Sequence, residues 1–436
     1  MKKYALCGVS NRALIMFIEP LLTTYAKGHQ IVALLDSDPL RFDIAKSQFP
    51  ELNDIPTYSP ESFDLMLDET DADTIIVTSR DDTHMDYILA GLKRDINVLS
   101  EKPMVTTAAD ATKVMEAEML SKGKVTVMFN YRYNPIHRRI KEMIQDGKLG
   151  RVTSVDLNWY VDTFHGSSYF RRWNRYRDIS GGLSVHKSTH HLDLVNWWLD
   201  QQPEEVFAFG ALHYYGDRSE YNPARVDGRH CDTCDVREDC AYVMRWSAAN
   251  VKDDHLRVED NKKPKYTDYR TDACIFDSDI EIEDTYTASI KYNQGALLSY
   301  SINFSAPYEG YRLAINGTKG RIESTEYHEP SRVPFPIPQQ TIDYYPLFGA
   351  KEIIHVVRGE GGHGGGDPVL LNDLFGSSKQ HREYSILAGS EAGAYSIAAG
   401  EAMWRSNAEN RLVRIDELLM GQNSKFHKEQ AQVTKS

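Results

Sequence analysis

The chain of 436 residues is too long for one ordinary hydrophobic core and predicts two or three domains. Hydrophobic residues make up 41% and charged residues 26%, which is typical of a globular protein. The formal net charge is −13 without any basic block, so nucleic acid and anionic membranes are not expected partners. Because the sequence shows neither a membrane-spanning stretch nor a signal-peptide pattern at its start, we expect a cytoplasmic protein.

Residues 1–125 alternate between strand and helix patterns. Short apolar strands are predicted at residues 4–7, 31–35, 74–77, 97–99 and 125–129, with amphipathic helical stretches between them, for example at 85–92 and 108–121. Strands without polar alternation indicate a sheet that is buried on both faces. The sequence therefore predicts an α/β fold whose first domain, 1–125, is a doubly wound parallel sheet.

From residue 126 to residue 436 the pattern is that of an α+β domain. Helices are predicted at 133–147 and 189–199, and long alternating strands at 152–161, 206–215, 285–292 and 296–304. The turn at 292–295 is typical of a hairpin, so we expect a large, mostly antiparallel sheet that is open on one face. Residues 216–273 are polar and predict an insertion, 359–366 predict a flexible glycine-rich loop, 390–404 predict a closely packed small-residue helix, and the tail from about 421 is expected to fray.

The turn after the first strand carries part of a dinucleotide-binding fingerprint. Gly8 fits the first glycine position, whereas Ser10 and Ala13 stand where glycines are usual. Asp36 ends the second strand, where a carboxylate accepts hydrogen bonds from a ribose and repels a 2′-phosphate, which favours NAD over NADP. Arg41 lies nearby and keeps NADP open, and Asp36 can also be interpreted as a helix cap. The first domain is therefore predicted to be a Rossmann domain.

Four further segments, in order, resemble the Gfo/Idh/MocA family, which includes glucose–fructose oxidoreductase and inositol dehydrogenase. They are Glu-Lys-Pro at 101–103, Phe-Asn-Tyr-Arg-Tyr-Asn-Pro at 129–135, the glycine pair 181–182 followed by His190 and Asp193, and Gly-Thr-Lys-Gly at 317–320. The resemblance covers nearly the whole chain. It implies an NAD-dependent oxidoreductase that acts on a secondary hydroxyl or ketone of a sugar, inositol or glycoside, assembled as a homodimer or homotetramer.

The resemblance also implies the catalytic residues. Lys102 matches the lysine that touches both the nicotinamide and the reacting hydroxyl, where an ammonium stabilises the developing alkoxide. His190 matches the general base, and His186 stands where the family usually has an aspartate. Positions four apart share one helix face, so both imidazoles can reach one site. A metal site or packed core histidines, with His191 as the third, remain alternatives, and Asp193 is expected to be structural.

Two sets of binding residues follow from the motifs and the resemblance. The predicted cofactor-binding residues are Gly8, Ser10, Asn11, Arg12, Asp36, Ser37, Arg41, Thr78, Ser79, Arg80, His84, Glu101, Lys102, Asn130 and Trp173. The predicted substrate-binding residues are Lys102, Arg132, Tyr133, His165, Tyr169, Arg172, His186, Lys187, His190 and His363, the last in a loop expected to close over the sugar.

The cysteines suggest a second kind of site. Cys231 and Cys234 have the C-x2-C spacing of metal ligands, and Cys240 and Cys274 follow in or beside the insertion. We expect these four thiols to bind a structural zinc ion; reduced, unligated thiols are the alternative.

Two other functions stay open at this point. Some relatives are NAD-dependent glycoside hydrolases, which oxidise a sugar transiently, eliminate the aglycone, add water and reduce again, and the unusual His186 keeps this alternative open. The other is a non-enzymatic NAD-binding regulator, which would not need Lys102 beside a pair of histidines.

Overall fold

The computed structural model describes residues 1–223, 226–231, 233–243, 270–377 and 381–419. The predicted fraying tail from residue 421 and the stretch 244–269 of the predicted insertion lie outside the described residues. In the described part of the chain, no helix is both long enough and apolar enough to cross a lipid bilayer.

The N-terminal part contains the predicted parallel sheet, with six strands: the five predicted ones and β3 (Thr57–Tyr58), which the sequence analysis did not predict. Its strand order is β3-β2-β1-β4-β5-β6, so the order reverses between β1 and β4. Every residue of β4 is buried, which explains the unbroken apolar pattern. The strands are β1 (Lys2–Cys7), β2 (His29–Leu35), β3 (Thr57–Tyr58), β4 (Thr74–Val77), β5 (Asn97–Ser100) and β6 (Val125–Val127). The helices are α1 (Asn11–Ala13), α2 (Glu19–Leu22), α3 (Pro39–Gln48), α4 (Phe63–Thr70), α5 (His84–Lys93) and α6 (Ala108–Leu120), with a π-helical turn, Leu14–Ile18, between α1 and α2.

The C-terminal part contains a nine-stranded sheet. Its order is β14-β13-β12-β11-β7-β10-β9-β8-β15, and every neighbouring pair is antiparallel except β7 and β10. The strands are β7 (Val152–Asp162), β8 (Pro203–Ala211), β9 (Thr285–Tyr292), β10 (Leu297–Ala306), β11 (Gly310–Gly317), β12 (Gly320–Tyr327), β13 (Thr341–Pro346), β14 (Glu352–His355) and β15 (Val413–Arg414). The hairpin predicted at 292–295 joins β9 to β10, and the mostly antiparallel sheet is confirmed.

Helices cover one face of this sheet and join it to the first domain. They are α7 (Pro135–Gln145), α8 (Thr163–Arg171), α9 (Arg177–Ser180), α10 (Leu183–His186), α11 (Thr189–Leu199), α12 (Gly362–Phe375), α13 (Ser390–Glu409) and α14 (Ile415–Leu419). The small-residue helix α13 packs on β8, α11 and α6, which brings both sheets to one junction. A side chain at Gly400 would place its Cβ 2.2 Å from the carbonyl oxygen of Ser184, so the close packing predicted for this helix is confirmed.

Candidate active site

Two adjoining clefts lie where the carboxyl ends of the parallel strands face the second domain. The outer cleft has a volume of about 780 Å³ and is bordered by Gly8, Asp36, Ser37, Thr78 and Arg80, among others. The inner cleft, of about 430 Å³, is bordered by Asn11, Arg12, Lys102, His186 and His190, among others. Ser10, Arg41, Thr78, Ser79 and Trp173 border both clefts, so they form one continuous depression. In open α/β sheets ligands bind at such a reversal of the strand order.

The turn after β1 has the backbone geometry that the partial fingerprint predicts. Gly8 has a φ of +97°, and a Cβ there would lie 2.4 Å from the backbone nitrogen of Ser79. Ser10 caps α1, because its Oγ accepts a hydrogen bond from the N–H of Ala13 at 3.2 Å. The serine in the second position therefore leaves the tight turn and the helix start intact.

Asp36 is fixed at the end of β2, beside the outer cleft. One carboxylate oxygen accepts from the N–H of Val9 at 2.6 Å, and the other accepts from the N–H of Asp38 at 2.9 Å. Burial raises the pKa of Asp36, although both hydrogen bonds and nearby Arg41 oppose the rise. The turn, the carboxylate and the size of the cleft together fit a dinucleotide with an unphosphorylated ribose.

Lys102 lies where the two domains meet. The Lys102–Pro103 peptide bond is cis, and the Lys102 ammonium donates to the carbonyl oxygen of His186 at 3.1 Å. Burial lowers the pKa of Lys102 to about 8; Lys187 and Arg12 act in the same direction, whereas Asp81 opposes them. Near neutral pH this lysine is therefore still a cation, but one that loses its proton more easily than an exposed lysine.

His186 pairs with a carboxylate that the sequence analysis missed. Its Nδ1 is hydrogen-bonded to Oδ2 of Asp81, and the two side chains are only 13% and 6% exposed. The side-chain amide of Asn174 lies 3.4 Å from Nε2. Burial and then Lys102 lower the pKa of His186, while Asp81 opposes both. Asp81 follows directly after Thr78, Ser79 and Arg80, so its position after β4 was a signal that could have identified it.

His190 lies on α11, whereas His186 ends α10, so the prediction that both stand on one helix face is wrong, although both border the inner cleft. The environment of His190 also differs from that of His186. Its ring centroid lies 4.6 Å from that of Tyr131 and 5.8 Å from that of His363. Its Nδ1 is buried and has no hydrogen-bond partner in the described part of the chain. Burial lowers the pKa of His190 well below its usual value, and Lys102, His363 and Lys187 lower it further. The imidazole is therefore neutral near pH 7.

A buried carboxylate organises the far side of the inner cleft. Glu309 contacts Nδ1 of His165 at 2.8 Å and Nζ of Lys187 at 3.5 Å. The opposite nitrogen of His165 is 2.8 Å from the hydroxyl of Tyr169. Burial alone would raise the pKa of Glu309, but His165 and Lys187 hold it well below its usual value. Nothing in the sequence around Glu309 distinguished it from a loop carboxylate.

Asp367 connects the glycine-rich segment to the fingerprint. Its carboxylate accepts from the side-chain amide of Asn130 at 2.6 Å and contacts Arg12 at 3.4 Å and His363 at 3.0 Å. Arg12 in turn donates to Glu101 at 2.7 Å. Residues 363–365 interrupt α12 with left-handed backbone angles, and His363 borders the inner cleft. The segment predicted to be a flexible loop is thus tied to the site by charged contacts.

The structure brings most of the predicted site residues together. All fifteen predicted cofactor-binding residues border one of the two clefts, and so do eight of the ten predicted substrate-binding residues. His84 is fully buried, and its ring nitrogens lie 2.9 Å and 3.1 Å from the carbonyl oxygens of Pro103 and Ser79. Through these two contacts His84 connects the segment at Pro103 to the segment at Ser79, beside the cleft. Asp81, Ser168, Asn174 and Thr271 border the inner cleft without having been predicted.

Arg132 and Tyr133 are the two residues that the structure does not bring to the cleft. The Arg132 guanidinium donates to both oxygens of Asp193, at 2.7 and 2.6 Å, in a bidentate ion pair. Tyr133 is 1% exposed and packs beside Arg382. Their prediction as sugar contacts is corrected: the guanidinium is already satisfied by α11, and the phenol is enclosed. Asp193 is buried and paired with Arg132, which agrees with the structural role expected for it.

His191 does not join the other two histidines. Its ring stacks on Trp159 with centroids 3.7 Å apart, and its Nδ1 lies 2.8 Å from the hydroxyl of Tyr300. It is a packed core histidine.

Four cysteines in or beside the predicted insertion border one small cavity, but two of the thiols lie next to guanidinium groups. The four cysteines are Cys231, Cys234, Cys240 and Cys274. Cys231 Sγ lies 3.4 Å from a guanidinium nitrogen of Arg171, and Cys234 Sγ lies 3.8 Å from one of Arg229. Among the described residues, no group of three or more His, Cys, Asp or Glu side chains is arranged to hold a metal ion. The predicted zinc site is therefore not supported, and the described cysteines are free thiols.

Comparison with known proteins gives both domains a family. Residues 2–131 match "Oxidoreductase family, NAD-binding Rossmann fold", and residues 141–415 match "Oxidoreductase family, C-terminal alpha/beta domain". The chain is 62% identical over 428 residues to "Putative oxidoreductase YteT" of Bacillus subtilis (strain 168), covering 97% of this chain and all of that protein.

Two more distant relatives extend the comparison. Inositol 2-dehydrogenase of Rubrobacter xylanophilus is 30% identical over 190 residues, which is 42% of this chain and 48% of that enzyme. The structure of levoglucosan dehydrogenase in complex with NADH and levoglucosan superposes with a TM-score of 0.64 at 14% identity, covering 95% of this chain and 99% of that one. This likeness shows a shared fold. With both domains matched in order, the chain belongs to the Gfo/Idh/MocA family of oxidoreductases and contains the NAD-binding domain of that family.

Proposed function

We propose that the protein is an NAD-dependent dehydrogenase that oxidises a secondary hydroxyl of a sugar, inositol or glycoside, or reduces the corresponding ketone. The observation that carries the proposal is the position of Lys102 at the inner cleft, which His186 and His190 also border. Relatives named inositol 2-dehydrogenase and levoglucosan dehydrogenase support the polyol or sugar class of substrate.

The residues divide into a nucleotide side and a substrate side. The turn at Gly8, the carboxylate of Asp36 and the polar end of β4 would hold NAD, which supplies a hydride acceptor when bound. Because a carboxylate repels a 2′-phosphate, Asp36 favours NAD over NADP. The Lys102 ammonium would donate a hydrogen bond to the substrate oxygen and stabilise the negative charge that develops there. A neutral histidine of the pair would accept the hydroxyl proton, with His190 the residue that the family pattern indicates.

The substrate side has the chemistry of a carbohydrate pocket. Tyr169, Trp173, Arg172, His165 and Lys187 surround the inner cleft with aromatic faces and hydrogen-bond donors. Buried Glu309 and Asp367 hold His165 and His363 in place from behind. Such a wall can bind several hydroxyl groups of one ring at once, which fixes which carbon faces Lys102.

The test is a joint assay with NAD and a panel of sugars, inositols and aryl glycosides, following NADH absorbance and aglycone release together. We expect NADH to rise in proportion to the substrate consumed, and the Lys102→Ala variant to lose this activity while still binding NAD. Aglycone release at trace NAD without lasting NADH would contradict the dehydrogenase and identify a redox-assisted hydrolase.

We also propose that the protein is a homodimer or homotetramer formed through the open face of the nine-stranded sheet. Phe207 and Phe209 on β8 and Leu297 on β10 are exposed on the described surface, with 38%, 61% and 53% of their areas accessible. Exposed large apolar side chains that lie close together are typical of a protein interface. Light scattering on the purified protein tests this, and a monomeric mass would contradict it.

A further inference from the structure

The two candidate bases of the inner cleft differ in the charges that face them. His186 is hydrogen-bonded to the carboxylate of Asp81, which the first domain supplies from the end of β4. Lys102 and Lys187 lower the pKa of His186. The ring centroids of Tyr169 and Trp173 lie 5.4 and 5.8 Å from that of His186. The largest charge effects on His190 come from Lys102, His363, Lys187 and His191, and each of them lowers its pKa. The pKa of both histidines is lowered, but at His186 the carboxylate of Asp81 offsets part of the cost of an imidazolium, whereas the largest charge effects at His190 all oppose one.

The partners of His186 also define its tautomer. An ionised carboxylate only accepts hydrogen bonds, so the proton of the neutral ring is on Nδ1, which faces Asp81. Nε2 then carries the lone pair. The amide nitrogen of Asn174 lies 3.4 Å from Nε2 and 3.5 Å from Nδ1, so the tautomer is assigned from Asp81 and not from Asn174. A base that keeps Nδ1–H on a carboxylate and leaves Nε2 free can accept a proton without rotating its ring.

The pair joins the two domains at the reacting centre. Asp81 is on the first domain and His186 ends α10 of the second, and Lys102 of the first domain donates to the carbonyl oxygen of His186. The lysine and the imidazole are thus fixed relative to each other by two contacts across the domain junction. Among the residues that the structure describes, none makes a comparable hydrogen bond to the ring of His190, and this ring packs against Tyr131.

We propose that His186, oriented by Asp81, is the proton acceptor of this site, and that His190 binds the substrate oxygen without taking its proton. Nε2 of His186 would take the hydroxyl proton of the substrate, and NAD, when bound, would supply the acceptor for the hydride from the same carbon, so that the carbon–oxygen double bond can form. The imidazolium is neutralised by Asp81, which acts as a positioning residue. This inference rests on the proposed dehydrogenase function and changes which histidine performs the proton transfer.

The first test measures the histidines directly and needs no substrate. In protein labelled with nitrogen-15 at histidine, the ring signals are followed with pH, and His186→Gln assigns those of His186. We expect Nδ1 of His186 to carry the proton in the neutral ring, and Asp81→Asn to lower the pKa of His186. The control Asp71→Asn removes an equal charge from a side chain that is 88% exposed. If Asp81→Asn does not fold, Asp81→Ser replaces it. An unchanged titration of His186 in the folded variant would overturn the inference, whatever the outcome of the substrate assay.

The second test uses the pH dependence of kcat/KM with a substrate that reduces NAD. A base must be neutral to accept a proton, so activity falls on the acid side as the base becomes protonated. Asp81→Asn is expected to move this acidic limb to lower pH and to reduce kcat at least tenfold. His190→Gln is expected to lower kcat/KM and leave the acidic limb in place. The inference would be overturned if His190→Gln lost the acidic limb of the kcat/KM profile while Asp81→Asn left the pH of this limb unchanged. The dehydrogenase function would still stand.

Discussion

Breaking the ion pair between Arg132 and Asp193 tests whether Arg132 is structural. The guanidinium donates to both carboxylate oxygens, at 2.7 and 2.6 Å, and the two side chains are 6% and 1% exposed. Burial raises the pKa of Asp193 even though Arg132 opposes the rise. The desolvation free energy of the Asp193 carboxylate is therefore larger than the free energy that its ion pair with Arg132 contributes, as is common for buried ion pairs.

The magnitude follows from leaving one buried charge without its partner. Asp193→Asn is expected to lower the free energy of unfolding by about 3–5 kcal/mol, because the Arg132 guanidinium stays buried. Replacing both residues by apolar ones, Arg132→Met with Asp193→Leu, is expected to recover most of this loss, since both desolvation costs disappear together. A substrate-binding role for Arg132 would instead predict a higher KM with little change in stability.

Denaturant unfolding followed by tryptophan fluorescence measures the effect, because Arg132 lies 5.7 Å from the ring of Trp197. Asp71→Asn is the control, since its carboxylate is exposed and its contact with Lys3 is at 3.8 Å. The control is expected to change the free energy of unfolding by about 0.5 kcal/mol or less. The reasoning is refuted if Asp193→Asn stays within about 1 kcal/mol of the parent protein, or if the double variant is the less stable one.

Three further predictions concern the cofactor side of the site. Gly8→Ala is expected to abolish NAD binding in calorimetry and to lower the melting temperature, because its Cβ would lie 2.4 Å from the backbone of Ser79; unchanged binding would contradict the turn geometry. Asp36→Ser is expected to improve kcat/KM for NADP relative to NAD, since the repelling carboxylate is lost and Arg41 remains beside the outer cleft; an unchanged ratio would contradict this role. The rate of oxidation is expected to fall above about pH 8, where Lys102 loses the proton that stabilises the alkoxide, and Lys102→Arg is expected to remove this alkaline limb; a profile that stays flat to pH 10 in the parent protein would contradict the role.

The elements that could be predicted from the sequence are those with a local pattern. The unbroken apolar strands and the Gly8 turn predict the parallel sheet, and the turn at 292–295 predicts a hairpin. Lys102, His186 and His190 were identified by motifs, and the structure brings them to one cleft. These signals depend on residues that are neighbours in the chain.

The errors and omissions come from contacts between distant residues. Arg132 lies in a recognisable motif, but its direction is decided by Asp193, which is 61 positions away. Asp81 reaches His186 across 105 positions, and Glu309 reaches His165 across 144. The cysteine spacing was compatible with metal binding, whereas the thiols of Cys231 and Cys234 lie beside the guanidinium groups of Arg171 and Arg229. No local pattern encodes such pairings.

The transfer of deuterium from a substrate carbon to NAD decides whether this protein is a dehydrogenase. The protein is incubated with NAD and a sugar or inositol from the active panel that is deuterated at its ring carbons, and the NADH formed is analysed by mass spectrometry. We expect each NADH to carry one deuterium and Lys102→Ala to form none. NADH without deuterium, or consumption of the sugar without any NADH, would contradict direct transfer between a sugar carbon and NAD in this cleft.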